Sequence, residues 1–436
     1  MLNRQAVDFA IAASLALGCE VQHTSVFARK NYFYPDLPKG YQISQFEQPL
    51  ALRGAVDVTV GGTTTRIGIT RVHMEEDAGK SVHAGGSESG KSSGIDLNRS
   101  GVPLIEIVSE PDIRSAAEAA EYFSRVHAIL TWIGVNDGNM EEGSLRCDAN
   151  VSIRPVGQQA FGTRSEVKNV NSFRYLEKAI EYEIERQTAV VTSGGRVVQE
   201  TRLWDAAAGR TFSMRSKEEA HDYRYFPEPD LPPLVCDESR IAALRASMPE
   251  LPDARRQRFV REYGLPEYDA GVLTQSAGMA AYYEQVNRAF PSPKANSNLV
   301  MGPLQQVLNE RGIGLDDASV PPATALAALT ALVDKGTISH SMAKDVLVKM
   351  FDTGREAPAI VEADGLAQIG DEDAVVAIIR GVMADNADAV AQYRAGKTST
   401  FGFLVGQVMK GSKGKANPRL ANTLLKRELD GQSPQV

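Results

Sequence analysis

The sequence is poor in cysteine. Its 436 residues hold three, at positions 19, 147 and 236. None is close to another, and no CxxC pair occurs. That sparse, odd count gives no disulfide framework and no zinc knuckle, and it suits a reducing cytoplasm. Zinc is accordingly not expected in this chain. Long apolar runs are also missing: nothing approaches the roughly 20 residues a membrane helix needs. Net positive charge is absent as well. The balance is −8, so the chain as a whole is no generic polyanion binder. The 43% hydrophobic content is ordinary for a water-soluble fold, and the length allows two or three domains. "MLNRQAVDFAIAASLALGC" imitates a lipoprotein leader, but Asp8 interrupts its apolar core. It reads better as an amphipathic helix over 4–17 closed by Gly18. The chain is therefore expected to be cytoplasmic.

What is present divides into three parts. Residues 1–245 mix strand and helix signals. "VDVTV" (56–60) and "RIGITRVHM" (66–74) flank Gly61-Gly62, a hairpin signature. "PLIEIVSE" (103–110) is apolar on both faces and reads as a buried strand. Ser115 and Glu118 form a capping box before a helix with apolar spacing through Ile133. "SLRCDANVSIRP" (144–155) alternates like a strand. From 246 strand signals stop and alanine-rich amphipathic helices take over, giving a helical domain over 246–355. "TGREAPAIVEADG" (353–365) reads as a linker or boundary, and 356–436 as a small helical tail. The expected fold class is α+β: a mainly antiparallel sheet domain with helices, followed by two all-α domains.

"GGSESGKS" (85–92) satisfies the phosphate-loop pattern G-x-x-x-x-G-K-[ST]. A working loop of that kind follows a buried strand and opens a helix, whose N-terminus helps hold phosphate. Neither flank here fits, so it reads as a Gly/Ser-rich surface loop. "RVHMEEDAGK" (71–80) ends a strand with three adjacent acids. Alternation places Glu76 on the face of Val72 and Met74, with His73 and Glu75 on the other. Glu106 stands between Leu104 and Val108 on a strand that reads as buried, where an unpaired carboxylate is costly. Either an ion pair to Arg99 or Arg71, or a magnesium ion, would satisfy it. Two aromatic, proline-stiffened stretches, "RKNYFYPDLPKGYQ" (29–42) and "DYRYFPEPDLPPL" (222–234), read equally as pocket walls or as buttresses. Residues 391–436 carry eight Lys or Arg against two acids. That surface either solubilises the tail or contacts a nucleic-acid backbone.

Six of these segments taken together resemble a known family: "RKNYFYPDLPKGYQISQF", "RIGITRVHMEEDAGKS", "DLNRSGVPLIEIVSEPD", "MEEGSLRCDANVSIRP", "DYRYFPEPDLPPL" and "GFLVGQVMKGSKGKANP". They closely resemble the B subunit of the glutamyl-tRNA(Gln)/aspartyl-tRNA(Asn) amidotransferases, and the likeness is collinear from residue 2 to about 430. The resemblance implies a glutamine synthetase/guanidino kinase type of first domain. It implies a heterotrimer in which the A subunit releases ammonia from glutamine and the C subunit wraps the other two. The B subunit, with ATP and Mg²⁺, phosphorylates the side-chain carboxylate of a misacylated Glu-tRNA(Gln) or Asp-tRNA(Asn), and ammonia displaces the phosphate. By motif position Glu76 and Glu106 match magnesium ligands, and Lys30 matches a residue beside the ammonia path. His73, Glu75, Asp77 and Lys80 fall around the nucleotide or metal. Lys410, Lys413, Lys415 and Arg419 match the tail that meets tRNA. Family members begin earlier, with a strand whose Glu and His complete the metal site. A chain that truly starts here is expected to be weak in the kinase step, and its alternative role is a kinase-defective tRNA-binding scaffold.

Overall fold

The structure is a computed structural model, described here for residues 2–83, 93–216, 223–367, 372–412 and 415–431. The chain divides into two compact units, Met1–Pro252 and Asp253–Val436. In the first the elements run α1 (Arg4–Ala16), β1 (Glu20–Val21), β2 (Thr24–Ser25), β3 (Ala28–Asn31), β4 (Tyr41–Ser44), β5 (Ala51–Val60), β6 (Thr63–Glu76), β7 (Lys80–His83), β8 (Ser93–Asp96) and β9 (Pro103–Ser109). They continue with α2 (Ala116–Trp132), β10 (Ala149–Val151), β11 (Ser165–Lys168), α3 (Phe173–Thr192), β12 (Glu200–Asp205), β13 (Arg210–Ser216), β14 (Phe226–Pro227), β15 (Leu234–Val235) and α4 (Glu238–Ser247).

The N-terminal helix forms as its pattern implies. Asn3 caps it, Val7, Ala10, Ile11 and Ser14 are buried, and Gly18 follows at φ +69°. The Gly61-Gly62 hairpin also forms. Both glycines have positive φ, +58° and +81°, which a two-residue turn between twisted strands requires, and Val60 pairs with Thr63. The resulting sheet has the order β1-β5-β6-β9, with β9 at an edge and antiparallel to β6. One face buries Val56, Val58, Ile67, Ile69 and Val72, and Val126 and Leu130 of α2 belong to the same core. A second sheet, β10-β11-β12-β13, packs its apolar side with Phe123 of α2 and Leu176 and Ala179 of α3 around Trp204. Ser115 Oγ accepts from Glu118 N–H at 3.1 Å, so half the capping box is made. Glu118 itself accepts from the Arg114 N–H instead.

Two expectations change. The 144–155 segment is strand only over Ala149–Val151, because Arg146 and Asp148 turn to ion pairs on either side. The β9 strand is not buried: as an edge strand it packs Ile105 and Ile107 on the core and leaves its other face open. The phosphate-loop pattern at 85–92 lies outside the described residues. The segment directly after it is the strand β8, where such a loop needs a helix.

The second unit is helical: α5 (Pro252–Tyr263), α6 (Glu267–Leu273), α7 (Ala277–Ala289), α8 (Pro293–Leu299), a π-helical turn over Val300–Leu304, α9 (Gln305–Arg311), α10 (Ala323–Asp334), α11 (His340–Thr353), α12 (Ala357–Ala363), α13 (Glu372–Asp385), α14 (Ala387–Arg394), α15 (Thr400–Gly411) and α16 (Pro418–Leu429). The stretch read as a linker contains α12, which buries Ala357, Ile360 and Val361 and packs on α10 and α11. The last four helices share their own core, around Val375, Ile379, Leu404, Val408, Leu424 and Leu425. Asn417 caps α16 and Pro418 opens it. No described helix is long and apolar enough to cross a membrane.

Gly54 on β5 shows how tightly the first sheet meets the end of α1. A Cβ there would lie 2.6 Å from the Leu17 carbonyl oxygen and against Cys19 Sγ. Gly54→Ala is expected to destabilise the first unit by about 1–3 kcal/mol. Both tryptophans, Trp132 and Trp204, lie in that unit, so urea unfolding followed by their fluorescence reads it selectively.

Candidate active site

The site begins with strand alternation at the end of β6. Val72 and Met74 point into the core, and His73 and Glu75 point away from it. The antiparallel register pairs His73 with Glu106 and Glu75 with Leu104. Glu106 therefore shares a face with His73 and Glu75. Ligand-type atoms of these three residues all lie within 4.8 Å of one another. His73 Nε2 is 3.7 Å from Glu106 Oε2 and 4.0 Å from Glu75 Oε2.

Glu75 and Glu106 line a cavity of about 2870 Å³, with Lys30, Tyr32, Arg71, Asp77, Arg99 and Arg146 also in its wall, while His73 is buried beside them. Glu106 opens to it, with 47% of its side chain exposed, which corrects the reading of a buried carboxylate. Neither arginine considered as its partner pairs with it among the described residues. Arg99 binds Asp77, and Arg71 Nε donates to His73 Nδ1 at 3.4 Å.

Burial, with Glu106 adding repulsion, pushes the Glu75 carboxyl up to about 7, against a smaller lowering by Lys30. Burial, then the charges of Arg71 and Lys30, hold the His73 imidazole down to about 3, so the ring is neutral near pH 7. Two crowded carboxylates of this kind suit a divalent cation. They supply hard oxygen donors, and the repulsion between them is what such a charge would relieve.

The structure separates the other expected residues. Glu76 is not beside Glu106. It faces β4, where Oε1 accepts from the Ile43 N–H at 2.7 Å and pairs with Lys39, while Gln42 Nε2 donates to the Glu76 carbonyl at 2.7 Å. Pairing Glu76 with Glu106 as common ligands is thus corrected: one residue of alternation puts them on opposite faces. Asp77 is buried beyond the strand end, accepts from Arg146 Nη2 at 2.8 Å and is ion-paired with Arg99, whose Nε lies 3.1 Å away. Lys30 on β3 sits 5.0 Å from the Tyr223 ring centroid and 5.8 Å from that of Tyr32. Lys80 is exposed at the start of the β7–β8 hairpin and does not line the cavity. Arg146 carries no signal in the sequence, because nothing local ties it to a carboxylate far upstream.

In the tail, Lys410 lies in the last turn of α15 and Arg419 in the first turn of α16; both are exposed, and Lys415, between them in sequence, is half-buried. None of the three forms an ion pair among the described residues, whereas Arg380 makes a two-pronged contact with Glu428. Lys413 lies outside the described residues.

Residues 1–242 match the GatB/GatE catalytic domain, and residues 281–429 match the GatB domain. The chain belongs to the GatB/GatE family. It is 56% identical over 431 residues to a protein of Trichlorobacter lovleyi named as the B subunit of aspartyl/glutamyl-tRNA(Asn/Gln) amidotransferase, covering 99% of this chain and 90% of that one. Proteins of the same name from Syntrophotalea carbinolica and Bordetella petrii are 53% and 54% identical; each alignment covers 99% of this chain, with 89% and 90% of the relative. The His73–Glu75–Glu106 cluster falls inside the GatB/GatE catalytic domain, and the basic tail inside the GatB domain.

Glu75 gives this site a pH signature. Its ordinary value is 4.5 and its folded value about 7. Between these the folded chain holds a proton that the unfolded chain has lost, so stability falls as pH rises through that window. His73, Glu106, Asp77, Lys30 and Arg146 surround the group and are unchanged in Glu75→Gln. In metal-free protein, that substitution is expected to remove this part of the fall between pH 4.5 and 7 when urea unfolding is followed by tryptophan fluorescence.

Proposed function

We propose that this chain is the component of a cytoplasmic ATP-dependent amidotransferase that activates misacylated Glu-tRNA(Gln), Asp-tRNA(Asn) or both. Its partners are the glutaminase, or A, subunit of the heterotrimer together with the small C subunit. The observation that carries the reading is the meeting of Glu75 and Glu106 on the wall of a cavity that Lys30, Arg99 and Arg146 also line, in a chain of this family.

The chemistry asks for little covalent work from the protein. A side-chain carboxylate oxygen of the tRNA-bound amino acid attacks the γ-phosphorus of ATP. The bond to ADP breaks, and the resulting acyl phosphate loses phosphate to ammonia. Phosphoryl transfer of this kind is positioning and charge neutralisation. A bound Mg²⁺ would supply the neutralising charge on the phosphate oxygens. Glu75 and Glu106 would hold it, with His73 beside them. Arg99 and Arg146, held by Asp77, add fixed positive charge to the wall where polyanionic ATP must sit. Lys30, set among aromatic rings, adds another cation facing Glu75. Glu76 takes a structural part, fastening β4 to the end of β6. The tail cations Lys410, Lys415 and Arg419, with Lys413, would meet the tRNA backbone.

In the complex reassembled with the A and C subunits, Glu75→Gln or Glu106→Gln is expected to lower Mg·ATP-dependent amidation of Glu-tRNA about 100-fold or more, as loss of a preorganised charge does. Unchanged amidation would instead favour the scaffold role. Replacing Lys410, Lys415 and Arg419 by Ala is expected to weaken tRNA binding. The slope of log affinity against log salt should fall by about one for each phosphate no longer neutralised. Titration at several salt concentrations reads this, and an unaltered slope would remove the tail from the tRNA interface.

A further inference from the structure

His73 is offered to the candidate cation site as a third donor, but its surroundings argue for a different part. The ring is 3% exposed, so its hydrogen bonds are settled by the protein. Nδ1 lies 3.4 Å from Arg71 Nε, which donates to it. A guanidinium has five N–H groups and no acceptor. Nδ1 therefore presents its lone pair, and an imidazolium would point an N–H at another donor. In the neutral ring the proton then sits on Nε2, the nitrogen that faces Glu106 at 3.7 Å and Glu75 at 4.0 Å.

A histidine that binds a metal shows the reverse arrangement: its far nitrogen gives its N–H to a carboxylate, carbonyl or water, which leaves the near nitrogen free to coordinate. Here the far nitrogen meets a donor. The near one carries hydrogen toward two carboxylates, each at the end of a loose terminal torsion.

We propose that His73 is a positioning residue, which gives its Nε2–H to the Glu75–Glu106 pair and fixes those carboxylates for a divalent cation without coordinating it. The proposal rests on the cation reading above. The chain Arg71→His73→carboxylates runs along one face of β6 and crosses to β9 at the directly paired position.

The test uses Mn²⁺ as the probe on the purified full chain, with affinity from the free-ion electron paramagnetic resonance signal and ligand type from electron spin echo modulation. Mn²⁺ bound in a way that Glu75→Gln or Glu106→Gln abolishes, with no directly coordinated nitrogen, is the expected result. His73→Gln keeps an N–H near the Nε2 position and should hold affinity within about twofold, whereas His73→Ala should lose about tenfold, as loss of an outer hydrogen-bond partner does. Tm of each variant separates misfolding from lost positioning. A directly bound nitrogen that vanishes in His73→Gln would overturn the proposal and leave the cation site intact. Mn²⁺ binding indifferent to both glutamates would overturn the cation site itself.

Discussion

The arrangement of this site depends on one register: His73 of β6 directly opposite Glu106 of β9. That pairing is held from the other side of the sheet. Val72 and Met74 of β6 and Ile105 and Ile107 of β9 are committed to the core, so a one-residue slip would expose apolar side chains and bury charged ones. It would also bring Glu76 to the cavity in place of Glu75. Burial of four aliphatic side chains therefore selects which acid of three reaches the site.

The three acids of "MEED" then meet three different fates, each set by direction. Glu75 turns to the cavity and suffers both burial and a neighbouring carboxylate. Glu76 turns to β4 and ends in a backbone N–H and a lysine. Asp77, past the strand end, is enclosed by two guanidinium groups. Adjacent like charges are tolerated because the pleat sends the first two apart and the chain end carries the third away. What remains strained is the Glu75–Glu106 pair, the only one of these contacts without an adjoining cation in hydrogen-bond reach among the described residues. Crowded carboxylates left in that state are the feature on which the proposed cation site rests.

Much of this could be read in the sequence, and the failures have physical causes. Alternation along β6 is a local property, so the opposition of Glu76 to His73 and Glu75 was legible. The α1 helix, the Gly61-Gly62 turn and the change to an all-helical second half were legible for the same reason. Which strand pairs with β6, and at what register, is not local, so the glutamate that joins Glu106 could not be chosen by pattern. The apolar run of β9 resembled a buried strand because an edge strand beside a cavity also presents apolar side chains on both faces. The α12 helix was hidden by its length: seven residues with a proline at the start give too few turns for periodicity to register.

The two aromatic stretches that sequence patterns could not assign to wall or buttress do both. Pairing of β14 with β3 sets Phe226 opposite Arg29 and so brings the second stretch alongside the first. The join is strong: Arg29 makes a two-pronged contact with buried Glu228, at 2.7 and 2.8 Å, and its guanidinium lies 4.2 Å from the Tyr41 ring centroid. This tether carries Tyr223 onto Lys30. A lysine paired with a carboxylate spends its field on that partner. A lysine resting on aromatic faces keeps its charge uncancelled, since a ring quadrupole attracts without neutralising. Lys30 accordingly remains the leading opponent of the burial and repulsion that Glu75 experiences. The aromatic residues support the sheet edge with their bodies and, with their faces, hold a cation whose field still reaches the carboxylates.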